Sequence, residues 1–336
     1  MDNGTLRSFE STEADNSSKF AEDTDESYPA VSIIIPCYND GIYLNDAVES
    51  ALAQTYPNVR IIIVNDASTD PRTLDILNSI THPRVTVFHN TENLRPSGTR
   101  NRGIFEAHGK YILPLDADDK IGASYVQKAV DIMESDPSVG VVYCKGELFG
   151  LESGPWDLPP YSLEMMMLNN VVFVTALFLR DDWEMIGGYS DEFKEGYEDY
   201  DFWLSILELG RRIHQIPEVL FYYRKKENSR NTNFEGDLPT KIDTYRRLYK
   251  KHPVFYDNHR DEYALKLRDS WLEYIDRSRH FENRVTAAEK RALEADRTLE
   301  QMTSSLSWRI TKPLRLIMGI FRKNTEKKAS RIPKRS

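Results

Sequence analysis

Residues 109–119 read Gly109-Lys110-Tyr111-Ile112-Leu113-Pro114-Leu115-Asp116-Ala117-Asp118-Asp119. The apolar run 111–115 has the length of a buried strand, and it ends abruptly in three carboxylates within four residues. Open α/β sheets bind ligands at the carboxyl ends of their strands. Carboxylates packed so closely repel one another unless a cation sits among them. Hard divalent ions such as Mg²⁺ or Mn²⁺ take oxygen ligands and commonly bridge a protein carboxylate to a substrate phosphate. A solvated acidic turn is the plainer alternative, and the position directly after a buried strand sets the metal reading level with it.

Working outward from this run, the chain alternates between two periodicities. Residues 31–35 predict a first strand, cut by Pro36 and followed by Cys37-Tyr38-Asn39-Asp40. Leu44, Ala47, Val48, Ala51 and Leu52 recur at helical spacing before Tyr56-Pro57. Residues 61–64 predict a second buried strand that closes in Asn65-Asp66-Ala67-Ser68-Thr69-Asp70. A helix over 71–80, a strand over 85–88, a polar loop over 90–98 and a helix over 99–107 lead back to the acidic run. This alternation implies right-handed crossovers and an α/β fold, a Rossmann-like, mainly parallel sheet flanked by helices. No Gly-x-Gly-x-x-Gly turn is present, which argues against a dinucleotide.

Further along, a helix over 124–133, a strand over 140–143, a loop over 145–165 and a strand over 171–179 are expected. A short helix over 181–186 follows. Glu198-Asp199-Tyr200-Asp201 opens another helix; its dipole accounts for one acid at that end but hardly for three within four residues. From about residue 237 the pattern is helical and charged. There Val285, Ala288, Leu293 and Leu299 are spaced too loosely to read as a coiled coil.

Composition narrows the function classes. A formal net charge of −9 argues against a general nucleic-acid binder, yet the charge is divided. The first thirty residues carry eight acids and two bases, whereas residues 306–336 carry ten Lys/Arg and one Glu. Cys37 and Cys144 are the only cysteines, so no disulfide framework or cysteine-based zinc site is indicated. The N-terminus lacks a signal-peptide pattern, and no run reaches the ~18 apolar residues of a membrane span. The expectation is a cytoplasmic protein.

Five motifs now stand in order: Ile35-Pro36-Cys37-Tyr38-Asn39, Val64-Asn65-Asp66-Ala67-Ser68-Thr69-Asp70, Arg100-Asn101, Leu115-Asp116-Ala117-Asp118-Asp119 and Glu198-Asp199. Over residues 31–230 this series resembles the family 2 glycosyltransferases, inverting enzymes of the GT-A fold. The resemblance implies that Pro36 and Tyr38 line a base pocket, with Tyr38 facing a uracil or thymine, and that Asp66 bonds the base edge. It places Arg100 near the nucleotide and Asp116 beside the ribose, with Ala117 between Asp116 and the metal ligand Asp118. It also implies that Asp116 is a second candidate ligand for Mn²⁺ or Mg²⁺ and that Asp199 is the general base. The donor implied is a nucleotide-sugar, UDP- or dTDP-linked, and the acceptor a glycan or lipid-linked hydroxyl.

Plainer roles stand beside these: core packing for Tyr38, a cap for the following helix for Asp66, and support of its neighbours for Asp119. Glu198 and Asp201 read as cap or acceptor-contact residues. Trp156, Trp183 and Trp203 could stack on a sugar, but core packing is the better default. One departure concerns the metal. Many relatives carry His two residues beyond the Arg of Tyr222-Tyr223-Arg224, where this chain has Lys226, a side chain that cannot ligate metal while protonated but could neutralise phosphate.

The expected organisation is a disordered acidic leader over 1–29, the GT-A domain over 30–235, a helical extension over 236–304 that could mediate homo-oligomer contact, and a tail over 305–336. From Pro313, residues Leu314, Leu316, Ile317, Met318, Ile320 and Phe321 cover an arc of roughly 200° on a helical wheel, with Arg315, Arg322 and Lys323 opposite. A basic amphipathic helix of this kind suits the inner-leaflet membrane surface. The product would be a bacterial surface glycan such as O-antigen or capsule. A sugar nucleotidyltransferase would need a Gly-rich, basic loop after the first strand, which Pro36-Cys37-Tyr38-Asn39 is not. An inactive membrane-tethered scaffold is the other alternative, and the intact Asp116, Asp118 and Asp199 argue against it.

Overall fold

The computed structural model describes residues 27–194, 196–227 and 237–305. The acidic leader as far as residue 26 and the basic tail from 306 lie outside these. The chain divides into two compact units, Met1–Ala264 and Leu265–Ser336.

The first unit begins with β1 (Val31–Cys37), α1 (Gly41–Leu52), β2 (Val59–Asn65), α2 (Pro71–Ser79), β3 (Val85–His89), α3 (Arg95–Phe105) and β4 (Tyr111–Pro114). Then come β5 (Lys120–Ile121), α4 (Tyr125–Ser135), β6 (Val139–Gly150), β7 (Gly154–Pro155), α5 (Leu163–Leu168), β8 (Leu177–Leu179), α6 (Arg180–Ile186), α7 (Glu198–Glu208) and β9 (Arg212–Lys225). Two helices, α8 (Leu238–Lys251) and α9 (Pro253–Asn258), complete it, and α10 (Arg260–Ser304) runs on into the second unit.

The nine strands form one sheet in the order β3-β2-β1-β4-β8-β6-β9-β5, with β7 beside β6. From β3 to β4 every pairing is parallel, as the βα alternation demands. β8 then runs antiparallel to both β4 and β6, while β6 and β9 are parallel over a long, bulged register. The ends of β1, β2 and β4 therefore open on the same side of the sheet, and their loops meet there.

Four local expectations are corrected. Pro36 does not cut β1: it pairs in register with Val64. Cys37 O accepts from Asp66 N, so the alternation of the ladder turns Pro36 toward β4, beyond the last β4 pairing at Pro114. Its missing N–H costs no ladder bond there. The strand expected over 140–143 continues to Gly150, the loop expected to follow contains β7 and α5, and the strand expected over 171–179 is confined to Leu177–Leu179. β9, whose polar and apolar residues hide its periodicity, was not foreseen.

Val31, Ile33, Ile35, Ile61, Ile63 and Leu113 are buried in the sheet's core. α3 lies close over β1 and β2 because Gly103 has no side chain: a Cβ there would stand 2.5 Å from Ile34 Cγ2. That close approach sets Arg100, one turn earlier, against the strand ends. No helix among the described residues is long and apolar enough to cross a membrane.

Candidate active site

The loops after β1 and β2 are laced together by Asn39. Its backbone N–H donates to Ser68 Oγ (3.0 Å), and its Oδ1 accepts from the N–H groups of Thr69 (2.8 Å) and Asp70 (2.9 Å). Asn39, Ala67, Arg95 and Tyr197 are the only non-glycine residues with positive φ among the described residues. All four border the segments that carry the site, and such strain concentrates where surrounding structure over-determines a functional geometry.

Tyr38 is 46% exposed, so its ring is not core packing. Pro36 beside it is half-buried. Asp66 is buried, and its carboxylate does not cap α2, a task that falls to Asp70. Instead it seats the start of α3: Oδ1 accepts from Leu94 N (2.7 Å) and Asn90 Nδ2 (2.9 Å), and Oδ2 from Arg95 N (2.9 Å). A carboxylate offers about four acceptor positions, so one remains.

Arg100 is fully buried and joins two distant segments. Its Nη2 donates to Asp116 Oδ1 at 2.7 Å and its Nη1 to Glu198 Oε1 at 3.0 Å. Burial opposes its charge, but Asp116 and Glu198 outweigh that and hold the guanidinium above its ordinary range. The next residue, Asn101, faces another way. Its Oδ1 accepts from Trp183 Nε1 (3.0 Å) and Tyr189 N (2.8 Å), and its Nδ2 donates to Tyr189 O (2.7 Å). Neighbours on a helix point about 100° apart, so the Arg-Asn pair organises both the acidic strand end and the segment leading to α7. The structural roles of Asn39, Asn101 and Glu198 were not foreseen, although the unbroken Arg-Asn pair was the available signal for Asn101.

In the acidic run, Asp116 is partly exposed, Ala117 is buried, and Asp118 lies 2.8 Å from Lys226 Nζ through Oδ2. Lys226 also reaches Asp40 Oδ1 at 3.0 Å. The pairing of β5 with the end of β9 brings Lys226 here. Burial, with Asp116 next to it, raises the Asp118 pKa despite the lysine. Burial works against the charge of Lys226, but Asp118 and Asp40 hold its pKa above the usual lysine range. Asp119 is buried and accepts from Arg224 N (2.8 Å); burial and then Asp118 push its pKa well up. It ties the acidic turn to β9.

The first turn of α7 separates its three acids by environment. Glu198 is held by Arg100, and Asp201 by Lys251 Nζ and His252 Nε2, each at 2.9 Å. Asp199 is half-buried, its Oδ1 accepting from Tyr200 N at 2.9 Å. Trp183 and Trp203 are core residues, with their Nε1 groups bonded to Asn101 and Val172. Trp156 is half-buried and stacks on Tyr223 at a centroid distance of 4.8 Å.

Among the described residues, no cluster of three or more His, Cys, Asp or Glu side chains is arranged to hold a metal ion. The donor set nonetheless fits an ion shared with a substrate. Asp116 and Asp118 each commit one carboxylate oxygen to a cation, and the other accepts no hydrogen bond among the described residues. Mg²⁺ characteristically binds through one or two carboxylates plus substrate phosphates.

The half-parallel sheet and its strand-end carboxylates define an α/β protein of the GT-A class. The sequence matches the family described as Glycosyl transferase family 2 over residues 32–176. It is 35% identical over 211 residues to the Escherichia coli UDP-Glc:alpha-D-GlcNAc-diphosphoundecaprenol beta-1,3-glucosyltransferase WfaP, a match covering 60% of this chain and 80% of that protein. It is 30% identical over 229 residues to TuaG of Bacillus subtilis, named for teichuronic acid biosynthesis, covering 67% of this chain and 90% of that one. The fold is shared with S. aureus TarS in complex with UDP-GlcNAc (TM-score 0.57, 20% identity, 70% and 69% of the two chains). It is also shared with the mannosyltransferase PcManGT of Pyrobaculum calidifontis in complex with GDP-Man and Mn²⁺ (TM-score 0.53, 19% identity, 85% and 84%). The chain belongs to glycosyl transferase family 2 and is a glycosyltransferase.

Proposed function

We propose that this glycosyltransferase moves a sugar, with inversion, from a nucleoside-diphosphate sugar to a hydroxyl of a glycan or lipid-linked acceptor in bacterial surface-polysaccharide synthesis. Arg100 carries this reading, because it fastens the donor-side Asp116 to Glu198, the immediate neighbour of Asp199. The acidic strand end and the carboxylates of α7 thus belong to one site, although some eighty residues separate them in sequence. The names of WfaP and TuaG support the surface-polysaccharide setting. The basic tail supports work at the cytoplasmic face of the membrane.

In this reading Tyr38 offers its exposed ring to a uracil or thymine, and the remaining acceptor position of Asp66 takes the base N–H. Asp116 lies by the ribose, and Asp118 with Asp116 would hold Mg²⁺ or Mn²⁺. Such an ion, when bound, offsets negative charge on the leaving diphosphate as a Lewis acid. Lys226 adds a fixed positive charge beside Asp118. Asp199 accepts the proton of the acceptor hydroxyl as that oxygen bonds to the anomeric carbon and the bond to the diphosphate breaks.

Thermal stabilisation by UDP, dTDP, GDP and CMP compounds, with and without Mn²⁺, tests the donor side, since binding to the folded state raises Tm. A shift for UDP or dTDP that grows with Mn²⁺ and shrinks in Asp118→Ala is expected. Asp199→Asn should keep that shift and lose transfer by roughly 10²–10⁴-fold. Transfer at the native rate in Asp199→Asn would remove the base assignment. A folded protein with no shift for any nucleotide would turn the reading toward the scaffold.

A further inference from the structure

The second unit offers a surface of a different kind. α10 is one unbroken helix of 45 residues, and none of its side chains is buried. Trp271, Tyr274 and Phe281 are 60%, 69% and 66% exposed. Aromatic side chains left in water at that level, on one long helix, call for a partner.

The spacing of the exposed residues shows what that partner is. Leu267, Tyr274, Phe281, Ala288, Ala295 and Met302 follow one another at intervals of seven. Trp271, Ser278, Val285, Ala292 and Leu299 form a second series, each four residues after one member of the first and three before the next. This four-three alternation is the a/d seam of a coiled coil, with the first series at d and the second at a. Leu293, which obscures the pattern in the bare sequence, lies one position off the seam. Ser278 is the single polar residue in it.

The flanking positions specify orientation. Position g carries Arg277, Arg284 and Arg291, and position e carries Glu282, Glu289 and Asp296. In a parallel, in-register pair, each g residue meets the e residue five positions further along the other helix. Three of these meetings join opposite charges, Arg277 to Glu282, Arg284 to Glu289 and Arg291 to Asp296, and the other two, Ser270 to Ile275 and Thr298 to Thr303, are uncharged. In an antiparallel pair g faces g and e faces e, so arginines would oppose arginines and acids would oppose acids. Within one chain Arg277 reaches Glu273, an exposed pair of little worth that yields readily to an interchain one.

We infer that α10 pairs with α10 of a second copy of this chain as a parallel, in-register, two-stranded coiled coil from Leu267 to Met302. The inference stands apart from the chemistry proposed for the first unit. The seam spans about five heptads, with aromatic residues toward its N-terminal half and small alanines toward its C-terminal half, which let two helices approach closely.

Sedimentation equilibrium on the full chain should give twice the 39.0 kDa chain mass at micromolar concentration. One variant, Arg284→Glu with Arg291→Glu, makes both flanks acidic; another, Glu289→Arg with Asp296→Arg, makes both basic. Each alone should associate at least tenfold more weakly, and an equimolar mixture should recover the dimer as a heterodimer. Ala295→Cys should cross-link to itself under mild oxidation, because d residues of a parallel pair face their own copies. Cys37 and Cys144 are buried and leave the introduced thiol as the reactive one. A monomeric or trimeric mass, or a mixture of the variants that does not associate, overturns the two-stranded pairing. A dimer in which Ala295→Cys fails to cross-link overturns the parallel register.

Discussion

The Arg100 guanidinium links the acidic strand end to the first turn of α7. It is buried between Asp116 and Glu198, and removing it would leave two carboxylates facing each other without a cation. Breaking a buried pair by deleting one partner costs about 3–5 kcal/mol. Arg100→Met is therefore expected to lower unfolding stability by about that amount in urea titrations. An unchanged midpoint would mean that the bridge is not maintained in solution. The sequence singled out Arg100 within a motif but not as a bridge, because a motif records order along the chain and not which segments close on each other. The same holds for Asp66: the carboxylate after a buried strand was evident, while its bonds to Leu94 and Arg95 depend on a chain reversal that no local pattern encodes. Lys226 was read as a departure able to neutralise phosphate, whereas its contact with Asp118 follows from the pairing of β5 with β9.

Among the elements, α7 is braced from both ends of its polar face. Its N-terminal turn gives Glu198 to Arg100 and Asp201 to Lys251 and His252, while Glu208 accepts from Phe255 N (3.0 Å) and lies 3.1 Å from His252 Nδ1. With a carboxylate at each ring nitrogen, His252 favours its protonated form. Burial opposes that charge, but the hydrogen bonds to Asp201 and Glu208 outweigh it and raise the pKa above 6.5. A histidine with a raised folded-state pKa contributes its full stabilisation below about pH 6.5 and loses it as pH rises through the folded-state value. The Tm difference between the native protein and His252→Gln should therefore be largest at mildly acid pH and shrink in alkaline buffer. A difference that grows with pH would contradict the protonated assignment. Parallel strands and their helices were legible because apolar runs and helical spacing survive in sequence. The β6–β9 ladder was not, since bulges at Val139, Cys144 and Lys145 break its alternation.

For the molecule as a whole, α10 has a geometric consequence. At 1.5 Å per residue it is a rod of about 65 Å, and two such rods in parallel end at the same point. Each chain continues from there into a sequence with ten Lys/Arg and one Glu. Pairing would thus deliver two basic tails to one place, and a surface that holds each of them weakly would hold both by avidity, which can exceed single-site affinity about a hundredfold or more. Phe281→Asn with Val285→Asn opens the seam without altering charge or tail. Its binding to anionic vesicles in co-sedimentation should fall at least tenfold below that of the native protein. Equal binding would show that each tail holds the surface independently. Under the expected loss, by contrast, the helix is a valency device: it would convert a marginal anchor into a durable one, and make residence at a membrane a function of how much of the enzyme is present.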